Sequence, residues 1–363
     1  MLSVSLIAAS IASGLVPAEA APAGKPAAMA KSGQLHGVFC TTAANCWAVG
    51  GADAKGALLN LVLHWTGKKW IKITVPSPGG TAPGERSELT AVRCTAARDC
   101  WAVGDSQGSR HVDRNQALHW NGKGWLVVPT PSPGAAFNAL ADVACTSGSS
   151  CWAVGVDGPV VPAIAVPGDA ESDNGKFFEL NEVLHWNGRK WAKVAVPSPA
   201  GTKPSQINEL FGLSCTSSTN CWAAGSYGSF NSGGRFRNEV LRWNGRKWFK
   251  VSVINPDGTD PGANNALAGI NCSSPTDCWA VGNSGGESAK PTINQALHWN
   301  GMHWSRVSTP NPGGMNSGDT NSLASVRCTA AANCLAVGVE ETGNGPEFGQ
   351  ILHWTGRRWL ADF

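Results

Sequence analysis

Residues 35–50 read Leu-His-Gly-Val-Phe-Cys-Thr-Thr-Ala-Ala-Asn-Cys-Trp-Ala-Val-Gly. Two brief apolar runs, one ending and one opening on cysteine, flank a short polar stretch, which is the pattern of a β-hairpin. The phrase recurs. Six copies begin at Leu35, Leu89, Leu140, Leu210, Leu267 and Leu323, spaced by 51 to 57 residues except for 70 across the third. Each continues through a variable stretch to His-Trp-Asn/Thr-Gly-x-x-Trp, with Arg242 replacing the His in the fourth copy, and all but the last run on into a Pro-rich tail. A repeat of this length is too long for helix-pair or leucine-rich solenoids and fits the four short strands of a propeller blade. No copy sustains a helical period. The expectation is an all-β fold, a six-bladed β-propeller of four-stranded antiparallel blades over residues 35–363, with blades starting near 35, 89, 140, 210, 267 and 323.

Within the first copy, strand a covers Leu35 to Cys40, strand b Cys46 to Gly50, strand c Leu61 to Trp65, and strand d starts near Trp70. Asn-Gly pairs such as Asn121-Gly122 and Asn187-Gly188 fill the c–d turn in four copies, a strong hairpin signal. On strand b, Cys46, Ala48 and Gly50 alternate with Trp47 and Val49. A small face and a bulky face then lie on opposite sides, so that each blade can receive its neighbour. All 17 tryptophans fall in three slots per copy, at Trp47, Trp65 and Trp70 in the first, and Leu335 in the last copy is the one replacement.

All 12 cysteines fall in the repeats, as Cys40/Cys46, Cys94/Cys100, Cys145/Cys151, Cys215/Cys221, Cys272/Cys278 and Cys328/Cys334. Residues 1–20 read as an export signal, apolar from Leu2 to Val16 with an Ala18-Glu19-Ala20 cleavage site and no positive n-region, as expected if the true start lies upstream. Residues 21–34 read as a flexible linker. Export makes local disulfides the expected fate of the cysteines, one per blade pinning the a–b hairpin, rather than metal ligation. The mature chain is expected outside the cell with no membrane span. A formal charge of +3 over 363 residues, with no Lys/Arg run, lacks the footprint of nucleic-acid binding.

Cys-Trp-Ala-Val-Gly followed by His-Trp-Asn-Gly-x-x-Trp resembles the blade repeat of sialidase-type and photosystem II assembly factor-type propellers, and is similar to secreted bacterial propellers with paired cysteines in each blade. The resemblance covers Leu35 to Phe363 and implies fold rather than chemistry. Gly67 and Trp70 match the sialidase Asp-box, but Trp65 stands where its Asp belongs. Kelch and WD signatures are absent.

Function is therefore sought in what does not repeat. Loops a–b and c–d share one face and are uniform, whereas loops b–c and d–a share the other and vary, the usual place for binding residues. The expected ligand site lies there, on the second to fourth blades, with Arg110, His111, Asp113, Asp157, Arg235 and Arg237 meeting a glycan or protein partner. Asp113 with Asp157 or Glu171 offers the paired carboxylates of a glycoside hydrolase at unfixed separation. His64, His119, His185, His298 and His353 share one slot on strand c of different blades, too far apart to hold a metal. Asn60, Asn115, Asn181, Asn238 and Asn294 recur at a loop-to-strand junction, as backbone caps do. No nucleophile, phosphate-loop or metalloprotease motif occurs and no cofactor is implied. The expected function is a secreted, non-catalytic binding module; the alternatives are a sialidase-like glycan hydrolase or lyase, and a multivalent lectin with one site per blade junction.

Overall fold

The structure, a computed structural model, describes residues 33–134, 137–158, 178–229, 235–259, 262–286, 290–343 and 345–362. The export signal and most of the linker lie outside the described residues. Twenty-four strands and no helix occur among those described, in six successive antiparallel groups of four. In the first, strands a to d are Gly33–Thr42, Asn45–Ala54, Ala57–Trp65 and Trp70–Ile73. In the sixth they are Thr320–Ala330, Asn333–Glu341, Phe348–Trp354 and Trp359–Asp362. Strand a of every group lines one central channel, the arrangement of a β-propeller. No helix here is long and apolar enough to cross a membrane.

The repeat phrase explains each hairpin. Cys40 faces Cys46 across the a–b pair, and the bond between them recurs as Cys94–Cys100, Cys145–Cys151, Cys215–Cys221, Cys272–Cys278 and Cys328–Cys334, every one within its own blade. Besides pinning the hairpin, the bridges contribute to packing between blades. The second cysteine of each pair, Cys46, Cys100, Cys151, Cys221, Cys278 and Cys334, is buried. From the second blade onward, that cysteine belongs to the apolar cluster shared with the preceding blade. The reason is the strand b alternation, which puts this sulfur on the small face that receives the neighbouring tryptophan, so the bridge packs the junction as well as closing the turn.

At the c–d turn Asn121 accepts hydrogen bonds from the backbone of Lys123 and Gly124, while Gly122 takes φ of 87°. A β-carbon at Gly122 would meet Arg98 of the a–b turn. The two turns therefore do share a face.

Blade junctions follow from the same alternation. Trp47 and Val49 lie against Leu89, Val92, Cys100, Ala102 and Trp125 of the next blade, and the equivalent cluster recurs at four further junctions. Trp47 meets Trp125 edge-on at 5.2 Å, a favoured aromatic geometry. The recurring asparagines go beyond capping. Asn60 donates to the carbonyl of Pro76 at 2.8 Å, fastening the Pro-rich tail, and also to Gln116 Oε1 of the next blade at 2.9 Å. Asn115–Glu182, Asn181–Glu239, Asn238–Gln295 and Asn294–Gln350 repeat this clamp. A second link runs backward, where Asn138, Asn208, Asn265 and Asn321 of strand a donate to backbone carbonyls of the preceding blade.

The junction of sixth blade with first lacks these devices. Leu335 replaces the strand b tryptophan, Gly349 the clamp asparagine, Leu61 its glutamine partner, and Gly33 the strand a asparagine. Leu335, Val337 and Ile351 on one side, and Leu35, Val38, Leu63 and Trp70 on the other, are half-buried where their counterparts elsewhere are buried.

Candidate functional site

A β-bulge follows the repeated Leu of every strand a, at His36, Thr90, Ala141, Phe211, Ala268 and Ala324, and re-phases the strand so that this Leu and the Val/Leu/Ile three residues on both pack into the blades. One channel column is Gly37, Ala91, Asp142, Gly212, Gly269 and Ser325. It is mostly small because neighbouring backbones nearly touch: a β-carbon on Gly37 would sit 2.9 Å from Ala91 Cα. At the position just before the first cysteine, and so toward the uniform face, Phe39, Arg93, Asn271 and Arg327 line the cavity, whereas Ala144 is buried in a junction core. The resulting cavity has a volume of about 600 Å³, within the usual range for small-ligand sites.

Most polar groups of the channel are spent on the ring itself. Thr90 donates to the carbonyl of Leu140 at 2.7 Å, and Ser214 and Asn271 accept from the backbone of Cys272 and Cys328. Asp142 accepts from its neighbour Val143 and from Leu213 of the next blade, at 2.7 and 2.8 Å. Burial pushes its carboxyl up to about 6, against those two hydrogen bonds and the arginines nearby.

Arg93 and Arg327 differ. Both guanidinium groups lie near the face of Phe39, at 4.8 and 5.8 Å from its centroid, so one ring holds two cations together. Burial lowers Arg93 to about 10, with Arg327 adding to the shift, and burial lowers Arg327 as well. Both stay charged at neutral pH. Neither makes a hydrogen bond or ion pair among the described residues, and Asp142 is the carboxylate that acts on both through space, so each planar donor fork keeps its hydrogen bonds unassigned within the protein. The arrangement suits an oxyanion. Sequence reasoning passed over these two residues because it looked for variation in loops; the signal was an arginine at an unrepeated position inside the repeated phrase itself.

The six residues expected on the other face are not joined into one cluster by any contact among the described residues. Arg110 and His111 are exposed. Asp113 bonds to Arg86 at 3.2 Å and Gln107 at 3.0 Å, and Asp157 is buried against Lys193 at 2.6 Å, each inside its own blade. Arg235 and Arg237 lie on strand c of the fourth blade, each with a buried Nε that meets no acceptor among the described residues. Glu171 lies outside the described residues.

The cysteines and the histidine slot are structural. Cys151, Cys221, Cys278 and Cys334 are bonded and sealed inside blade junctions, out of reach of a ligand in the channel or on either face. His64, His119, His185, His298 and His353 each bond within their own blade, to Asn45, Asp99, Ser150, Asp277 and Asn333. No group of three metal-ligating side chains gathers among the described residues. Buried acids with raised pKa values, Glu182 and Glu239 at about 8, occupy the clamp position that is Gln116, Gln295 and Gln350 in other blades, so they mark junctions rather than chemistry.

No protein-family model matches the chain, and no curated protein matches it. Solved structures do. YCF48 bound to D1 peptide aligns with a TM-score of 0.47 at 11% identity, over 91% of this chain and 81% of that one. An α-L-arabinanase of Penicillium chrysogenum complexed with arabinobiose gives 0.49 at 10%, over 87% and 92%. A mutant of the Aleuria aurantia lectin complexed with α-methyl-L-fucoside gives 0.47 at 9%, over 92% and 95%. All are β-propellers, and the likeness extends to fold alone.

Proposed function

We propose that the chain is an exported, six-bladed, non-catalytic binding propeller whose glycan or protein partner places an acidic group in the central channel, between Arg93 and Arg327. One observation carries the reading: two guanidinium groups gathered on Phe39 with no acceptor among the described residues. Six local disulfides suit the oxidising compartment that export implies. A lectin with one site per blade junction is less well supported, because the residues that recur at the junctions are buried against one another. A two-carboxylate hydrolase built on Asp113 and Asp157 has each acid already paired with a cation of its own blade.

An array of acidic and neutral glycans probed with the mature protein tests this. Acidic members should bind, and Arg93→Ala with Arg327→Ala should weaken them at least about tenfold, the scale of charge-assisted hydrogen bonds. The second reading is the rim on the b–c face, favoured by the unmatched Nε atoms of Arg235 and Arg237. If Arg235→Ala with Arg237→Ala abolishes binding while the channel variant binds normally, the rim holds the ligand.

A further inference from the structure

The channel is not closed on all sides. Besides strand a residues from every blade, its lining includes Asn333, Leu335 and Val337, which belong to strand b of the sixth blade. No other strand b contributes. The cavity therefore continues sideways into the junction between sixth and first blades, where Leu335 stands in place of tryptophan and the Asn–Gln clamp is replaced by Gly349 and Leu61.

This slot has a definite chemistry. Leu335 and Val337 form one wall and Val38 part of the other, all half-buried. At its inner end Arg327 reaches Phe39 across the same junction. An apolar passage thus ends on two cations that have no counter-charge in hydrogen-bonding range. Neither half alone specifies a ligand: an apolar chain without an acid leaves the guanidinium groups unmatched, and an acid without a chain leaves the slot to water.

We infer that the seam is a ligand slot for a small amphiphilic anion, with its acidic head between Arg93 and Arg327 and its aliphatic chain between Leu335, Val337 and Val38. The inference rests on the channel reading for the head and adds the chain. The channel into which the slot opens, about 600 Å³ as a whole, is of ordinary size for a small ligand. It also gives the four departures at this junction a common purpose, since restoring tryptophan at Leu335 would fill the space the chain needs.

Calorimetric titration of the mature protein with straight-chain carboxylates from acetate to decanoate, below their micelle concentrations, tests it. Affinity should rise about fourfold per methylene over the first several carbons, as burial of methylenes predicts. Arg93→Ala with Arg327→Ala should weaken decanoate at least about tenfold, and decanol should bind more weakly than decanoate. Leu335→Trp should remove the dependence on chain length, and Leu61→Gln with Gly349→Asn, which rebuilds the clamp, should weaken decanoate in the same direction. The slot is refuted if decanoate binds no better than acetate, a result that leaves the channel reading standing whenever acetate binds. It is equally refuted if both seam variants keep the full chain-length dependence. Binding of neither acid would overturn channel and slot together. An apolar hexapeptide that outcompetes decanoate, and loses binding when its C-terminal carboxylate is amidated, would assign the site to a protein terminus instead.

Discussion

Arg93 and Arg327 occupy the one unrepeated position in Leu-x-x-Val-x-Cys that faces the channel mouth, and they acquire meaning only when strands 234 residues apart are brought round to Phe39 (327 − 93 = 234). Their arginine identity was legible in the chain, whereas their convergence depends on how the ring is phased. Asp142 sets the local charge balance. Burial holds its carboxyl at about 6, so below that pH the site carries two positive charges and above it the carboxylate offsets one of them. Affinity for an acidic probe should therefore fall as pH rises from about 5 to about 7, and a titration of acetate affinity against pH reads this directly. In Asp142→Asn the slope should vanish. The same variant loses one of two acceptor oxygens for Val143 and Leu213, and should cost about 1–3 kcal/mol of stability by denaturant unfolding.

At the level of strands, the hairpins were the most legible element, because cysteine spacing and Asn-Gly turns act over a few residues. The burial of Cys151, Cys221, Cys278 and Cys334 was less so, since spacing fixes a partner but not what packs against it. The clamp was not legible at all. Asn181 reads locally as a cap, but its second bond goes to Glu239, 58 residues on, which no local pattern announces. Glu182 and Glu239 are raised to about 8, chiefly by burial, while the unfolded chain ionises near 4.5. Between those values the native state holds protons that the unfolded state releases, so the contribution of these two groups to stability is greatest below about 4.5 and declines as pH rises toward 8. Glu182→Gln with Glu239→Gln, matching the other blades, should flatten this decline: thermal unfolding should show a gain of about 1–3 kcal/mol at about pH 8 and little change at about pH 4. The disulfides are a separate contribution. Each closes a loop with a sequence separation of only 6, so replacing Cys94 and Cys100 by Ser should cost roughly 2 kcal/mol and speed amide exchange in that hairpin first.

Over the whole molecule, the recurrence of one phrase sufficed to predict an all-β propeller, since each copy supplies both a small and a bulky face and neighbours need nothing else to stack. The weakness of the last junction was also written in the chain, at Gly33, Leu61, Leu335 and Gly349, but each departure alone passes for ordinary drift and Leu335 alone reads as a tolerable core residue. Only their meeting at one place gives them weight. Native-state hydrogen exchange should accordingly be fastest in strand a of the first blade and strand b of the sixth, and slowest in the third and fourth blades. Equal protection of all six blades would mean the seam is sealed in solution. Because five junctions carry the packing and the sixth does not, a circle in shape is a line in its energetics: each blade's stability depends on its two neighbours, and the first and last have one each. Such a molecule loses the all-or-none cooperativity of a closed hoop, fraying inward from two ends like a one-dimensional array, and its denaturation profile should be broader than that of a sealed propeller of equal size.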